Sequence, residues 1–149
     1  MKRDSRLSSV LHALMHMADQ DRPMTSEALA QCMGTNPVVV RRTMGLLREC
    51  GIVTSSRGHD GGWRIAVDLS AVSLHQLHEA LGEPAIFAIG NRSDTPECLV
   101  EQAVNAALDD AFAEAEALLL ERFRKITLAD LAMEFTERFD VLRNRGNRT

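Results

Sequence analysis

The sequence predicts a mainly α-helical fold that contains one short β-hairpin, and three observations support this prediction. Apolar residues recur at intervals of three and four along most of the 149-residue chain, which is the period of an amphipathic helix. A turn with three glycines near residue 60 separates two short stretches of β-forming residues. No glycine or proline occurs between Pro96 and Lys125, which predicts one long helix there.

The first two predicted helices are separated by a polar turn. Apolar positions at helical spacing predict a helix from Arg6 to Ala18. A second helix is predicted from Ser26 to Met33, with Thr25 as its N-cap and Gly34 as its C-terminal stop. Two short helices joined in this way, followed by a third, predict a helix-turn-helix.

His12 and His16 lie four residues apart and therefore on one face of the first helix. This spacing suits a metal ion, but the sequence shows no third ligand nearby. We favour a packed or dimer-facing histidine pair over a metal site, and we predict no metal ligands in the chain.

The third predicted helix follows a short turn and carries three arginines. Asn36 is a suitable N-cap, and Pro37 stands at the first helical position, where its missing N–H costs nothing. Gly51 is predicted to end this helix in a left-handed conformation. The apolar stripe leaves the arginines largely off the buried face: Arg41, Arg42 and Arg48.

Two strands are predicted directly after this helix, Ile52 to Ser55 and Trp63 to Val67, and Arg57 lies at the tip of the turn between them. An arginine-bearing helix followed at once by a β-hairpin is typical of a winged helix-turn-helix. Such a helix fits the major groove of DNA, where arginine binds guanine, and an arginine on the wing can enter a minor groove. The sequence therefore predicts a protein that binds double-stranded DNA.

The wing sequence also resembles that of a known family. Ser-Ser-Arg-Gly, followed by Gly-Gly-Trp-Arg-Ile-Ala, is similar to the wing of the Rrf2 family of bacterial transcription regulators, although Trp63 stands where tyrosine is more common. The run from Ile126 to Leu131 resembles the turn after the dimerisation helix of that family. The resemblance covers nearly the whole chain and is weakest over residues 85–94 and the tail. It implies a DNA-binding homodimer. We interpret Trp63 as packing the wing against the body, with stacking on DNA as the less favoured alternative.

Each part of the winged helix-turn-helix supplies predicted DNA contacts. Arg41 and Arg42 are predicted to bind bases, with a solvated helix face as the alternative, and Val38 to meet a thymine methyl group. Arg57 is predicted to enter the minor groove. Wing serines and glycines, and the first N–H groups of the second helix, are predicted to bind phosphate. The complete predicted set is Thr25, Ser26, Asn36, Pro37, Val38, Arg41, Arg42, Ser55, Ser56, Arg57, Gly58, Gly61 and Gly62.

The remainder of the chain is predicted to be helical. A capping-box pattern of Ser73 and Gln76 predicts a helix that ends at Gly82, with His75 and His78 exposed or partly packed on it. We predict a DNA-binding domain at residues 1–82, a linker at 83–95, a dimerisation helix and a C-terminal helix at 96–142, and a disordered tail at 143–149. The C-terminal helix is predicted to run from Thr127 to Phe139.

The long helix from Pro96 to Lys125 is predicted to form the dimer interface. At 1.5 Å per residue it would be roughly 45 Å long, which is more than a small domain needs for its own core. Small residues in the middle of its apolar seam let two helix backbones approach closely. The predicted dimerisation residues are Val100, Val104, Leu108, Ala111, Ala115 and Leu118.

The three cysteines bear on sensing. Many members of the Rrf2 family, which this chain resembles, bind an iron–sulfur cluster through three cysteines that lie before the long helix. In this sequence only Cys98 lies in that region, whereas Cys32 and Cys50 fall in the helix-turn-helix. We therefore predict no iron–sulfur cluster and no other cofactor. With Thr95 as N-cap, Cys98 would be the third helical residue, where the helix dipole stabilises a thiolate. A redox-sensitive thiol is one hypothesis, and a small buried residue at the interface is the slightly favoured alternative.

Charge and composition narrow the class of protein. The net charge is −4, yet residues 1–67 hold nine Lys/Arg and six Asp/Glu, whereas residues 68–149 hold eight and fifteen. The predicted DNA-binding half is therefore basic. No long apolar run or signal-peptide pattern is visible, so we expect a cytoplasmic protein that does not enter membranes.

We predict a homodimeric transcriptional regulator that binds a pseudo-palindromic operator. Repression is the favoured prediction over activation. The effector is unknown. The alternative is a protein-interaction adaptor with a winged fold. No catalytic motif supports an enzyme, and a thiol peroxidase is a distant third interpretation.

Overall fold

The computed structural model describes residues 4–87, 91, 93 and 95–146. This part of the chain contains six α-helices, a two-stranded antiparallel sheet and a single 3-10 turn at Leu69–Ala71. The elements in chain order are α1 Arg6–Ala18, α2 Ser26–Met33, α3 Pro37–Glu49, β1 Val53–Ser56, β2 Gly62–Ile65, α4 Leu74–Ala80, α5 Leu99–Arg124 and α6 Leu128–Gly146.

The core lies between α1, α2, α3, α4 and the hairpin. Its fully buried side chains come from the apolar stripes of these elements, as the helical periodicity predicts. The start of α6 adds Leu128, which is also fully buried. The largest buried side chains are Leu14, Leu29, Met44, Leu47, Leu77 and Leu128.

Both predicted ends of α2 and the predicted start of α3 are confirmed. The hydroxyl oxygen of Thr25 accepts a hydrogen bond from the Ala28 N–H at 3.1 Å, and the side-chain oxygen of Asn36 accepts one from the Val39 N–H at 3.1 Å. Pro37 occupies the first position of α3. Gly34 has a φ of 64°, the left-handed conformation that ends α2.

The hairpin pairs Val53 with Ile65 and Ser56 with Gly62. Both strands differ by a residue or two from their predicted bounds. Ile52 lies outside β1 because its N–H donates to the carbonyl oxygen of Leu47 at 2.9 Å and so terminates α3. β2 ends at Ile65, and the next N–H, that of Ala66, donates to the Ile52 carbonyl oxygen at 2.9 Å.

The junction of α5 and α6 is hydrogen-bonded to the segment before α4. The Leu74 N–H donates to the carbonyl oxygen of Ile126 at 2.9 Å, and the Leu128 N–H donates to that of Val72 at 2.9 Å. Capping boxes start both helices: Ser73 with Gln76 at α4, as predicted, and Thr127 with Asp130 at α6. The C-terminal helices are thereby attached to the helix-turn-helix core.

The predicted start of the long helix is wrong by three residues. Cys98, not Thr95, is the N-cap, and its carbonyl oxygen accepts the first helical hydrogen bond from the Gln102 N–H at 3.0 Å. The side chain of Gln102 donates to the Pro96 carbonyl oxygen at 3.1 Å. Pro96 therefore lies before the helix rather than at its first position, and its carbonyl oxygen accepts a hydrogen bond from a helical side chain.

The C-terminal helix is longer than predicted. It continues past Phe139 to Gly146, so disorder from residue 143 to 146 is a wrong prediction. An ion pair between neighbouring turns lies within this extension, between Arg143 and Asp140 at 3.6 Å. Residues 147–149 of the predicted tail, and residues 88–90, 92 and 94 of the predicted linker, lie outside the described residues.

His78 is also placed differently from the prediction. Its side chain is buried, with 4% exposure, and packs edge-on against the ring of Phe123. Its Nε2 lies 2.8 Å from the carbonyl oxygen of Pro84, so Nε2 carries the proton and donates it there. His78 therefore fixes the chain where it leaves α4. No helix within the described ranges is long and apolar enough to cross a membrane.

Candidate nucleic-acid interface

The outer face of α3 presents the predicted base-reading side chains. Arg41 and Arg42 are exposed, and Val38 is 59% exposed, while Val40 and Met44 on the opposite face are fully buried. Within the described part of the chain, neither arginine forms an ion pair or a side-chain hydrogen bond with another residue. Both guanidinium groups are therefore available for an external acceptor such as a guanine edge or a phosphate.

The wing presents Ser55, Ser56, Arg57 and Gly58 to solvent. Gly58 has a φ of 105°, which other residues rarely adopt, so glycine lets the chain turn at the tip beside Arg57. The position of Arg57 at an exposed turn agrees with the predicted geometry. Its contact with a minor groove remains a prediction.

Gly61 and Gly62 have a different reason to be glycine from the one predicted. A Cβ atom on Gly61 would lie 2.5 Å from the Ser56 carbonyl oxygen, and one on Gly62 would lie 2.6 Å from that of Met24. Close packing inside the protein therefore accounts for both glycines. Their predicted role at a phosphate is untested.

A chain of contacts joins the wing to two helices. Arg48, in the last turn of α3, donates to the Ser55 hydroxyl oxygen at 3.1 Å, and its guanidinium lies over the ring of Trp63 at 5.6 Å. The indole N–H of Trp63 donates to the Ser26 hydroxyl oxygen at 3.1 Å. We call these four residues the wing bracket: Ser26, Arg48, Ser55 and Trp63.

The wing bracket brings predicted DNA contacts from different elements together. Ser26 at the start of α2 and Ser55 on β1 are connected through Trp63 and Arg48, and each hydroxyl still has its own proton to donate to a phosphate. Trp63 packs the wing against the body, as predicted, with 7% exposure. The sequence analysis did not predict that Arg48 holds the wing. An arginine at the end of a helix, just before a strand, could have indicated such a contact.

A backbone pair strengthens the attachment of the wing. Met24 and Trp63 exchange two hydrogen bonds, Met24 N–H to the Trp63 oxygen at 3.0 Å and Trp63 N–H to the Met24 oxygen at 2.8 Å. Arg64 adds a side-chain bond to the Asp21 carbonyl oxygen at 3.2 Å. The segment before α2 thus acts as a third, very short strand beside β2. Thr25 and Ser26 follow directly, so the start of α2 is held in place with the wing.

The predicted dimer seam is an exposed apolar stripe on α5. No residue of α5 is fully buried, and Val104 is 50% and Leu118 75% exposed. The whole seam faces solvent in the single chain: Val100, Val104, Leu108, Ala111, Ala115 and Leu118.

Cys98 is exposed at the N-cap of α5 rather than within the first turn. The backbone N–H groups of Glu101 and Val100 lower the pKa of its thiol below the usual value, although the contact falls short of a full capping hydrogen bond. The predicted thiolate stabilisation is therefore present at a different helix position. Because Cys98 is exposed in the single chain, the alternative of a small buried residue would require that a partner chain cover it.

The exposed arginines of α3 and the attached wing define a winged-helix DNA-binding protein of the transcription-regulator class. Residues 3–134 match the Rrf2 family, described as iron-dependent transcriptional regulators. The chain belongs to this family.

One relative agrees with this assignment, and two solved structures share the fold. YwnA of Bacillus subtilis, described as an HTH-type transcriptional regulator, is 30% identical over 129 residues, which cover 86% of this chain and 95% of YwnA. The fold is similar to that of IscR from T. potens, with a TM-score of 0.68 and 18% identity over 93% of this chain and 90% of IscR. It is also similar to CymR of B. subtilis, with a TM-score of 0.64 and 19% identity over 90% and 98%.

The three cysteines of this chain lie on separate helices or helix ends. Cys32 is half-buried in α2, Cys50 is exposed at the end of α3, and Cys98 is exposed at the start of α5. In the part of the chain described by the structure, no group of three His, Cys, Asp or Glu side chains could hold a metal ion.

Proposed function

We propose that this Rrf2-family chain is a homodimeric repressor that binds a pseudo-palindromic operator, with one α3 and one wing in each half-site. The observation that carries the proposal is that Arg41 and Arg42 are exposed and have no partner among the described residues, on a helix to which the wing is attached by the wing bracket. Bound across a promoter, such a dimer represses by blocking access of the polymerase. The chain carries no catalytic role in this proposal.

The first experiment is DNA binding by the reduced protein, with an operator obtained by selection from random DNA. Arg42→Ala should weaken specific binding by about 5- to 160-fold, because a bidentate arginine–guanine contact contributes about 1–3 kcal/mol. Arg138→Ala is the matched control, since Arg138 lies on α6 and pairs with Glu134. Fluorescence anisotropy at several salt concentrations measures both affinities.

The salt series distinguishes DNA binding from the adaptor alternative. Affinity should fall steeply as salt rises, because each neutralised phosphate releases counterions. Failure of the selection to enrich any sequence, together with equal affinities of wild type and Arg42→Ala, would favour the adaptor.

The dimer is formed through the seam on α5. Support comes from the exposure of its apolar side chains and from the small residues Ala111 and Ala115 at its centre, which allow two helices to approach closely. No iron–sulfur cluster takes part in regulation in this proposal, because the three cysteines are dispersed. Iron analysis of protein purified without oxygen tests this directly: one cluster per chain would contradict it.

Cys98 is the thiol that responds to oxidants. In the reaction with hydrogen peroxide, the thiolate sulfur attacks one oxygen, the O–O bond breaks and hydroxide leaves, which gives a sulfenic acid. Support comes from the exposure of Cys98 and the lowered pKa of its thiol. Peroxide should abolish DNA binding by wild type and by Cys50→Ser, but not by Cys98→Ser. Equal sensitivity of the Cys98→Ser protein would remove Cys98 from the proposal.

A further inference from the structure

The exposed face of α1 carries a pair of histidines that are not among the predicted DNA contacts. The Nε2 atoms of His12 and His16 lie 2.9 Å apart, and their ring centroids lie 4.8 Å apart with a tilt of 41°. Both side chains are exposed. Val10, Leu14 and Met17 form the buried stripe on the other side of the helix, so packing within the chain does not account for the pair.

We infer that His12 and His16 form a two-nitrogen chelating site for a divalent transition-metal ion, of which Ni²⁺ and Cu²⁺ fit best. At this separation one Nε2–H donates a hydrogen bond to the other Nε2 in the metal-free chain. A metal ion takes the place of that proton when both imidazoles are neutral and protonated on Nδ1, so that both Nε2 lone pairs bind the same ion. Imidazole nitrogen suits transition metals, whereas Mg²⁺ and Ca²⁺ prefer oxygen. The two nitrogen ligands therefore favour a transition-metal ion over Mg²⁺ or Ca²⁺.

The nitrogen separation favours a particular coordination geometry. With metal–nitrogen distances of about 2.1 Å, two nitrogens 2.9 Å apart subtend an angle of about 90° at the ion. This is the angle between neighbouring ligands in octahedral or square-planar coordination, the geometries of Ni²⁺ and Cu²⁺. A tetrahedral Zn²⁺ ion needs the nitrogens about 3.4 Å apart, so the rings must move apart to bind it.

The remaining coordination positions belong to water or to donors from another molecule. The described residues contain no group of three potential ligands, so no third His, Cys, Asp or Glu joins the pair. The ion would thus be held at the surface, by a rigid helix on one side and open to solvent on the other. This site shares no residue with the predicted DNA contacts or with the Cys98 thiol, and it does not depend on the function proposed above.

The test is calorimetric titration of the full chain with Ni²⁺, which does not oxidise thiols, in the presence of a phosphine reductant. Wild type should bind one ion per chain. His12→Ala and His16→Ala should each weaken binding at least tenfold, because one nitrogen alone cannot chelate. His59→Ala is the matched control: His59 is exposed on the wing, and its loss should leave the affinity unchanged.

Two outcomes would overturn the inference. One is an equal Ni²⁺ affinity of wild type and the His12→Ala/His16→Ala double variant, which would place the ion elsewhere. The other is the absence of any heat of binding in wild type. Alanine is the best helix former, so both variants keep α1 folded, as circular dichroism will verify. The thermal unfolding midpoint provides a second measurement: Ni²⁺ should raise it in wild type and not in either histidine variant.

Discussion

Two arginines of α3 illustrate how neighbouring residues on one helix take different roles. Arg42 has no partner within the described residues, whereas Arg48 donates to Ser55 and lies over Trp63. Removing an unpaired, exposed side chain changes the folded state little. Removing Arg48 loses a hydrogen bond and a cation–π contact, which together contribute about 1–2 kcal/mol.

Arg48→Ala should therefore lower both the free energy of unfolding and the DNA affinity, because the wing loses part of its attachment. Arg42→Ala should lower the DNA affinity alone. Urea denaturation and DNA titration measure the two effects separately. The salt dependence of DNA binding should be unchanged by Arg48→Ala if Arg48 positions the wing. A shallower salt slope would instead show that Arg48 itself contacts phosphate.

The wing depends as an element on one close approach between two backbones. Gly62 has a φ of 151°, and an added Cβ would press against the Met24 carbonyl oxygen at 2.6 Å. That carbonyl accepts the Trp63 N–H, so no shift of Met24 is possible without loss of the pair that attaches the wing.

Gly62→Ala should destabilise the protein by about 2–4 kcal/mol, because backbone strain and overpacking act together. Gly58→Ala is the comparison: it shares a positive φ, but nothing lies within 4 Å of its added Cβ. Its cost should be about 1 kcal/mol, from the strained conformation alone. Equal unfolding midpoints of the two variants would show that the Met24 contact relaxes freely.

Helix starts were predictable wherever a capping residue forms its own local bond. Thr25, Asn36 and Ser73 all cap as predicted, since each hydrogen bond joins groups only three residues apart. The start of α5 was not predictable in this way. Thr95 and Pro96 match the usual sequence of an N-cap followed by proline at the first helical position. The side chain of Gln102 instead donates a hydrogen bond to the Pro96 carbonyl oxygen, and Cys98 is the N-cap.

At the scale of the whole molecule, burial separates two parts of the chain. The helix-turn-helix and the wing enclose the core, whereas α5 keeps an apolar stripe in solvent. An exposed apolar stripe of this length on a long helix is typical of an interface between subunits.

Val104→Arg should convert the proposed dimer to monomers, because it places a charge within the apolar seam, from which the partner helix would exclude water. Glu116→Arg is the matched control, since Glu116 lies on the same helix but well away from the seam. Light scattering coupled to size-exclusion chromatography measures the mass of each variant. A dimer that survives Val104→Arg would place the interface elsewhere.

The fold class and most elements could be predicted because they rest on local signals: helical periodicity, capping residues and the glycine-rich turn. The wing bracket could not, because Arg48 meets Trp63 only after the hairpin folds back onto α3. The buried position of His78 was equally invisible, since the phenylalanine that covers it comes from α5, 45 residues later in the sequence. Tertiary contacts between distant segments account for both failures.

The hydrogen bonds between the α5–α6 junction and the segment before α4 have a consequence for the DNA itself. Leu74 and Leu128 fasten α5 to the helix-turn-helix at both sides of the same junction. In the proposed dimer, the angle at which two α5 helices cross then sets the rotational phase between the two half-sites. One inserted base pair turns a half-site by about 35° around the double helix, given 10–10.5 base pairs per turn. A protein fastened in this way should tolerate changes of sequence between the half-sites, but not changes of length.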